Sequence, residues 1–258
     1  MLMTSDNPRS IIPIIMLEKY IIYRPMFHYL AAAKKNTNLG LAEYKGDEDT
    51  LYARLAHHPE LEEIFQDAVE AISAQSNEHL TRHVNFGRFQ RVVDVGGGNG
   101  ANAIAMVRQF PGLKATVFDL PSVCKIADEH IAAQGMQENV NSFAGNCFED
   151  PFPTDADCFL FCHFFTIWSE EKDQLLLRKA YEALPEGGAC MIFNQMQHND
   201  ETGPLSAALG SPYFLTLATG EGMLYTWREY EDWMRQAGFS DVVTLPLVRH
   251  HGVIVGIK

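Results

Sequence analysis

A glycine-rich turn is the first segment of the chain whose residue types and spacing predict chemistry. Residues 94–100 read DVGGGNG and separate a β-branched run from an apolar helical pattern. Glycine lets a ligand approach the backbone, and the amino end of the following helix offers unpaired N–H groups. Asp119 ends the next β-branched run, 23 residues after Gly96, where a carboxylate can accept hydrogen bonds from both hydroxyls of a ribose. These features favour a nucleotide-type ligand over a plain turn with a solvated Asp.

Histidine is the second residue type that could do chemistry here. His163 lies near the end of one apolar run, His198 lies just beyond the end of another, and His250 and His251 precede the last one. An imidazole in such a place can be a general base or a metal ligand, whereas a hydrogen-bonded side chain with no special duty is the common alternative. Six further histidines lie in predicted helices and receive no role: His28, His57, His58, His79, His83 and His130.

Strand and helix patterns alternate from about residue 90 onward. Short β-branched runs occupy residues 91–95, 114–120, 158–164 and 190–196, with helical patterns of a dozen or more residues between them. This alternation predicts a parallel sheet with helices on both faces. The last two apolar runs, 241–248 and 252–258, are only three residues apart. They predict a hairpin, so the final strand must run antiparallel.

The first 85 residues have a different, helical character. From Pro59, apolar residues recur at helical spacing and predict one long amphipathic helix. Residues 11–33 are also apolar at this spacing. These helices carry more apolar surface than they can bury among themselves, and a partner subunit is the simplest explanation.

Composition excludes several classes of protein. Of 258 residues, 47% are hydrophobic and 21% charged, which is typical of a folded globular chain. A net charge of −13 without a basic cluster disfavours nucleic acid as a partner. The amino-terminal apolar run is broken by Pro13, Glu18 and Lys19, so we expect neither a signal peptide nor a membrane span. Five cysteines without a CxxC pair indicate buried thiols and a cytoplasmic protein.

From about Leu61 to the carboxyl terminus, the sequence resembles class I S-adenosylmethionine (SAM)-dependent methyltransferases, in the small-molecule branch of plant-type and bacterial O-methyltransferases. The resemblance rests on VVDVGGGNG, VFDLP and the order strand, helix, LPEGG, strand. It implies a Rossmann-like α/β fold whose seven-stranded sheet has an antiparallel last strand. It also implies a helical dimerisation and substrate-lid region at 1–85, shorter than in the family, and a SAM-binding catalytic domain at 86–258. The expected assembly is a homodimer that acts on a small molecule.

The same resemblance implies the cofactor-binding residues. Gly96, Gly98 and Gly100 would line the methionine part of SAM, Asp119 would hold the ribose, and the turn at 145–148 would pack near the adenine. Asn146 stands in that turn where the family usually has Asp, and it can still accept from the adenine amino group. The remaining residues of this predicted site are Asp94, Leu120, Cys147, Phe148, Cys162 and Trp168.

One departure from the family bears on the reaction. Plant-type O-methyltransferases carry a catalytic His two residues before a Trp that follows the fourth strand. Alignment on Trp168 puts Thr166 at that position. Threonine cannot serve as a general base near neutral pH, so ordinary hydroxyl methylation by that route is in doubt. We take His163, Thr166 and His198 as the candidate catalytic residues.

The family's sheet order places the fourth, fifth and seventh strands side by side, which brings His163, His198, His250 and His251 to one edge. Imidazoles from adjacent strand ends can bind one divalent metal and leave positions open for substrate. We therefore predict a metal site at these four residues, with zinc or iron as the candidate ions.

A metal there would chelate a 2-oxo acid and stabilise its enolate. FCHFFTIWSEEKD, NQMQHND and GSPYFLTLATGEGMLYTW resemble bacterial 2-oxo acid C-methyltransferases of the ketoarginine and phenylpyruvate type. The leading hypothesis is thus methylation of the β carbon of a 2-oxo acid. An O-methyltransferase of a natural-product hydroxyl, and a non-methylating SAM-binding protein or cyclase, are the alternatives.

Overall fold

A computed structural model describes Thr4, Asn7 and residues 10–258, without the side chains of residues 74–76. In this part of the chain a seven-stranded sheet has the order β3-β2-β1-β4-β5-β7-β6. Its strands are β1 Arg91–Val95, β2 Lys114–Asp119, β3 Val140–Ala144, β4 Cys158–Cys162, β5 Ala189–Gln195, β6 Ser240–Pro246 and β7 His251–Ile257.

Strand direction follows the sequence prediction. β1 pairs in parallel with β2 and with β4, and the parallel ladder continues to β3 on one side and to β5 on the other. β7 is antiparallel to both β5 and β6. The carboxyl ends of β1 to β5 therefore share one edge of the sheet with the beginning of β7.

Helices connect the strands and precede them. The α-helices of the described residues are α1 Ile12–Leu17, α2 Tyr29–Lys35, α3 Leu51–Leu55, α4 Pro59–His83, α5 Ala101–Gln109, α6 Pro121–Ala133, α7 Glu170–Ala183, α8 Leu205–Tyr213 and α9 Trp227–Ala237. Local signals explain several ends. Pro121 starts α6, and α9 begins at a capping box of Thr226 and Glu229 and stops at Gly238, where φ is +107°.

The chain divides into two compact units. The first comprises Met1–Ser76, Thr166–Ser169 and Gly203–Leu224, and the second comprises the remaining residues with the whole sheet. The first unit has its own apolar core, which includes Ile21, Leu51 and Leu217. In the second unit, Val92 and Val93 belong to separate apolar clusters. Neighbouring strand residues point to opposite faces, so both faces of the sheet are covered, as parallel strands require.

The structure corrects some sequence-based boundaries. β3 was missing from the β-branched runs because it is an edge strand in which only Val140 is buried. β4 stops at Cys162, two residues before the predicted end, because His163 has φ +53°. Residues 12–35 form several short helices with a π-helical turn at Glu18–Ile22, and Pro25 opens a 3₁₀ turn among them.

The long helix from Pro59 and the hairpin of β6 and β7 are as predicted. Of the five cysteines expected as buried thiols, Cys124, Cys158 and Cys190 are buried, whereas Cys147 and Cys162 are partly exposed. Among those residues, helices with the length and apolar character needed to cross a bilayer do not occur.

Candidate active site at the carboxyl edge of the sheet

The glycine-rich turn, residues 94–100, joins β1 to α5. Its backbone has φ of +70° at Gly96, +57° at Gly98 and +79° at Gly100, values that side chains disfavour. A β-carbon on Gly96 would lie 2.2 Å from Cδ2 of Phe164. The turn therefore needs glycine for its conformation and, at Gly96, for close contact with an aromatic ring.

Asp119 at the end of β2 is held by two backbone groups. Its Oδ2 accepts from the N–H of Gly98 at 3.0 Å, and its Oδ1 accepts from the N–H of Leu120 at 2.7 Å. Burial raises the pKa of this carboxyl, whereas the two N–H groups lower it. Each carboxylate oxygen has a further lone pair, so the group can accept from a ribose without losing these bonds. Leu120 is 49% exposed beside it.

Asp94, the first residue of the turn, is fully buried. Burial raises its pKa to about 7; the Asn102 amide lowers this pKa, and the Asp119 charge raises it. A carboxyl group with this pKa would become fully ionised beside a cation such as an ammonium group. Burial, and secondly the charge of Asp94, raise the pKa of the Cys162 thiol.

The turn at 145–148 follows β3 and is held by hydrogen bonds that involve Asn146 and Lys179. Asn146 Oδ1 accepts from the N–H of Phe148 at 3.1 Å. Lys179 on α7 donates to the carbonyl oxygens of Cys147 at 2.5 Å and of Asp150 at 2.7 Å. Burial raises the pKa of the Cys147 thiol to about 12, so the thiol is neutral. These bonds hold in place the turn that the sequence predicts to lie near the adenine of SAM.

Two histidines meet at the other half of the same edge. The rings of His163 and His251 lie edge to face with centroids 5.1 Å apart, and both contact Phe193. Burial, and secondly the neighbouring His251, lower the pKa of His163 to about 3. Burial also lowers the pKa of His251, and the charge of His79 on α4 adds to this. Both rings are therefore neutral near pH 7.

The tautomer of His251 follows from its hydrogen bond. Its Nδ1 lies 3.1 Å from the carbonyl oxygen of Arg249. A carbonyl can only accept, so Nδ1 carries the proton and Nε2 of the neutral ring has the lone pair. His251 thus presents a nitrogen that can accept a proton.

A cavity of about 340 Å³ opens beside this pair of rings. It is lined by Met196, His198, Trp227, Pro246, Leu247, Arg249, His250 and His251. The predicted residues His198 and His250 are exposed in it. The sequence-based placement of His163, His198, His250 and His251 at one edge is thus correct as topology.

The predicted metal site does not form from these residues. Over the part of the chain that the structure describes, no group of three or more His, Cys, Asp or Glu side chains is placed to hold an ion. The rings of His163 and His251 pack edge to face, and Nδ1 of His251 already donates to the carbonyl oxygen of Arg249. His198 and His250 line the cavity without joining them in a ligand group. The expectation of zinc or iron at these four residues is not supported, because the side chains do not converge.

Thr166 and Trp168 belong to the first compact unit. Thr166 is buried with 4% exposure. A β-carbon on Gly222 would lie 2.2 Å from the Thr166 carbonyl oxygen, and Thr219 Oγ1 donates to the carbonyl of Ile167. Residues 166–169 are therefore held against 219–222 within that unit.

Comparison with known proteins agrees with the architecture of the sheet and its glycine-rich turn. The O-methyltransferase domain family matches residues 27–240. The chain belongs to this family. L-tyrosine C(3)-methyltransferase from Streptomyces lavendulae is 33% identical over 261 residues, which cover 100% of this chain and 71% of the relative. The 3-hydroxy-5-methyl-1-naphthoate 3-O-methyltransferase of Streptomyces sahachiroi is 37% identical over 198 residues, covering 76% of this chain and 57% of its own length.

Solved structures of the family share the fold. The apo crystal structure of the SAM-dependent methyltransferase SibL has a TM-score of 0.85 and 40% sequence identity, and the match covers 95% of this chain and 73% of SibL. The present chain is accordingly a SAM-dependent methyltransferase with the Rossmann-like fold of that class. The glycine-rich turn and Asp119 fit the cofactor, since they supply a backbone cradle and a ribose acceptor.

Sequence reasoning missed several residues that contact the glycine-rich turn and the 145–148 turn. His130 on α6 hydrogen-bonds through Nδ1 to the carbonyl of Asn99 in the glycine-rich turn, at 2.9 Å. Lys179 anchors the 145–148 turn, and Phe164 covers Gly96. Each of these residues contacts a partner that is distant in the sequence. The only sequence feature that could have indicated these contacts was the order of strands, which places α6 and α7 beside these turns.

Proposed function

We propose that this methyltransferase transfers the methyl group of SAM to a carbon atom of a phenolic or enolisable carboxylic acid. The observation that carries the proposal is the hydrogen bond of His251 Nδ1 to the Arg249 carbonyl, which places the lone pair of this cavity-lining ring on Nε2. Two facts support carbon as the acceptor atom. Thr166 replaces the histidine expected for O-methylation, and a relative with 33% identity is an L-tyrosine C(3)-methyltransferase.

SAM, when bound, supplies an electrophilic methyl group on sulfur, whose bond pair stays with the sulfur in the thioether product. For a phenol, His251 Nε2 accepts the hydroxyl proton, and the negative charge extends to the ortho ring carbon, which takes the methyl group. The proton on that ring carbon is then released to solvent, and the electron pair of its C–H bond restores the aromatic ring. For a 2-oxo acid, His251 Nε2 accepts a proton from the β carbon, and the resulting enolate takes the methyl group at that carbon. The two acceptor types therefore need the same proton acceptor.

His163 has a different part in this scheme. With a pKa of about 3, it is a poor proton acceptor near neutral pH. Its edge-to-face contact with His251 makes it a positioning residue for that ring. Thr166 accepts no proton. Gly96, Gly98, Gly100 and Asp119 would hold the cofactor, with Asp94 facing the ammonium group of its methionine part.

The 2-oxo acid predicted from the sequence remains one acceptor class of the proposal, but without a metal. 4-Hydroxyphenylpyruvate is the decisive substrate because it carries a phenol ring and an enolisable β carbon in one molecule. It and L-tyrosine would be incubated with SAM labelled by ¹³C in the methyl group, with and without EDTA. We expect NMR to find a new carbon–methyl group on the ring or on the β carbon, with equal yield in EDTA.

Formation of a methoxy product alone would overturn carbon methylation. This second candidate is favoured by the 37% identical relative, which is a 3-O-methyltransferase, and the same His251 would serve it as base. Loss of turnover in EDTA and its recovery with zinc or iron would overturn the metal-free route.

We also propose that the enzyme is a homodimer joined through its first unit. Tyr23, Phe27 and Leu30 in this unit are 68%, 80% and 68% exposed, and large apolar groups in such a cluster mark an interface. Light scattering should give twice the mass of the chain. Phe27→Ser with Leu30→Ser should give the monomer mass, and an unchanged dimer in this variant would contradict the proposed surface.

A further inference from the structure

We propose that Asn102 on α5 is a positioning residue for the cofactor: together with Asp94 it forms a buried cation site, which takes up the ammonium group of SAM as Asp94 releases a proton. The inference rests on the proposed function, in which Asp94 faces that ammonium group, and it adds a second residue and a proton to this contact. Both residues belong to the second unit.

The carboxyl group of Asp94 is fully buried against the glycine-rich turn. Asp94 has no exposed surface, and a β-carbon on Gly97 would lie 2.8 Å from its Oδ2. Two backbone N–H groups hold the carboxyl of Asp119 at the same turn, but within the described part of the chain neither oxygen of Asp94 accepts a bond of that quality. A buried polar group without such bonds costs free energy. A bound group that donates to Asp94 would therefore be stabilised here.

Asn102 connects this buried carboxyl group to the surface of the turn. It is the second residue of α5 and is partly exposed. Burial raises the pKa of Asp94 to about 7, and the Asn102 amide lowers it. The amide oxygen, Oδ1, is buried and has no hydrogen-bond partner among the described residues. An amide that donates through Nδ2 keeps an acceptor on Oδ1, so Asn102 can both stabilise the ionised Asp94 and accept from a ligand.

The neighbours of Asp94 leave its charge without a cation. Apart from burial, the groups that shift its pKa in the described part of the chain are Asn102 and Asp119, at the end of β2. The Cys162 thiol at the end of β4 is neutral, since burial and secondly Asp94 raise its pKa, and it lies 4.0 Å from Oδ1 of Asn77 on α4. A buried carboxyl group with only acidic or neutral neighbours keeps its proton until a cation arrives. The positive charge therefore has to come from the ligand.

The ammonium group of SAM matches this site in charge and in its number of donors. An ammonium group has three N–H donors and no acceptor, and the site offers three acceptor atoms, Oδ1 and Oδ2 of Asp94 and Oδ1 of Asn102. The sulfonium group has the same charge but no N–H. A β-carbon on Gly98 would meet nothing within 4 Å, so open space for a ligand lies beside the turn. On binding, the ammonium group keeps its protons, and the proton of Asp94 passes to solvent.

Calorimetry can count this proton without turnover. S-adenosylhomocysteine (SAH), which keeps the ammonium group, would be titrated at pH 6 in phosphate and in bis-Tris, two buffers that differ in their enthalpy of ionisation. A carboxyl group with a pKa of about 7 is about 90% protonated at this pH, so wild type should release about 0.9 proton on binding SAH. The matched ligand is 5′-methylthioadenosine, which has adenine and ribose but no amino-acid part, and it should release none. Asp94→Asn should bind SAH without releasing a proton.

Asn102→Ala separates a positioning role from a structural one. Without the amide the pKa of Asp94 rises further, so SAH should bind about tenfold or more weakly at pH 6, and part of this loss should disappear at pH 7.5. The affinity for 5′-methylthioadenosine should change by less than twofold. Asn102→Ser, which keeps a hydrogen-bond donor, should recover part of the SAH affinity. The matched control is Asn141→Ala, an exposed position near the start of β3.

Equal losses for SAH and 5′-methylthioadenosine in Asn102→Ala would overturn the proposal, because Asn102 would then support only the turn. It is also overturned if wild type releases no proton at pH 6, or if Asp94→Asn releases as many protons as wild type does. None of these measurements needs a methyl acceptor. Proton release as expected, together with a methoxy product alone, would therefore support the cation site and reject carbon methylation.

Discussion

The glycine-rich turn and the histidine-bearing half of the same sheet edge are built in opposite ways. At the turn, positive φ values fall on Gly96, Gly98 and Gly100, where they carry little strain. In the other half, His163, Arg249 and His250 have φ of +53°, +55° and +63°. A residue other than glycine in this conformation costs about 1–3 kcal/mol. Three strained residues therefore lie in the half of the edge that carries the histidine side chains, whereas the glycine-rich turn needs none.

The two halves encode recognition in different features of the chain. In the proposed function the turn would bind through N–H groups and through the absence of side chains, so its role can be predicted from residue type. The histidine half would act through ring orientation and tautomer, which depend on Phe193, Arg249 and other residues distant in sequence. Predictions about the two halves therefore differ in which step they should affect.

The largest effect is expected at His251. His251→Asn can still donate to the Arg249 carbonyl but lacks the proton-accepting Nε2. Loss of a general base lowers kcat by about 10²–10⁴-fold, while the affinity for SAM should stay within twofold. Steady-state kinetics and calorimetry would check this. His28, which is half-buried and lies 2.9 Å from Glu43, offers the control His28→Asn. A fall in kcat of less than threefold in His251→Asn would remove His251 as the base.

A smaller effect, on binding alone, is expected in the glycine-rich turn. Gly96→Ala places a β-carbon 2.2 Å from the Phe164 ring at φ +70°, so the affinity for SAM should fall by about tenfold or more. Gly112→Ala is the matched control because nothing lies within 4 Å of the new carbon. Equal SAM affinity in Gly96→Ala and wild type would mean that this glycine does not shape the cofactor site.

These two halves also explain what the sequence could predict. The glycine-rich turn, Asp119, the hairpin and the adjacency of β4, β5 and β7 follow from local patterns and strand order. β3 was not predicted, because this exposed edge strand lacks an apolar run. The metal prediction is not supported because strand order brings histidines to one edge but does not fix the direction of each ring. His130 was dismissed because its partner, Asn99, lies 31 residues away.

Local sequence patterns could not predict the two compact units either. Residues 166–169 and 203–224 join the first unit through contacts such as Gly222 with Thr166. A boundary near residue 85, placed by the change of pattern along the chain, cannot show a unit assembled from three separate segments. The split of the chain at 1–85 and 86–258, with its dimerisation and catalytic roles, stays a prediction.

His163, in the histidine-bearing half, should make the stability of the fold depend on pH. His163 has a pKa of about 3 in the folded chain, below the unfolded value of about 6.5. The unfolded state binds the proton first, so this contribution to stability is complete above pH 6.5 and is lost as the pH falls toward 3. Between pH 7 and 5, wild type should lose at most about 2 kcal/mol more than His163→Asn. Urea unfolding at both pH values measures this, and parallel curves for the two proteins would contradict a neutral buried ring.

The smallest effect tests whether the glycine-rich turn depends on a side chain after all. His130 donates to the Asn99 carbonyl at 2.9 Å, and a hydrogen bond of this kind contributes about 0.5–1.5 kcal/mol. His130→Ala should therefore weaken SAM binding by roughly two- to tenfold, and His130→Asn, which keeps a donor near Nδ1, should recover part of it. If His130→Ala and His130→Asn both bind SAM as tightly as wild type does, backbone groups alone fix the turn. The contrast with the histidine-bearing half would then be complete, because one half of the edge would need no imidazole and the other would depend on His251.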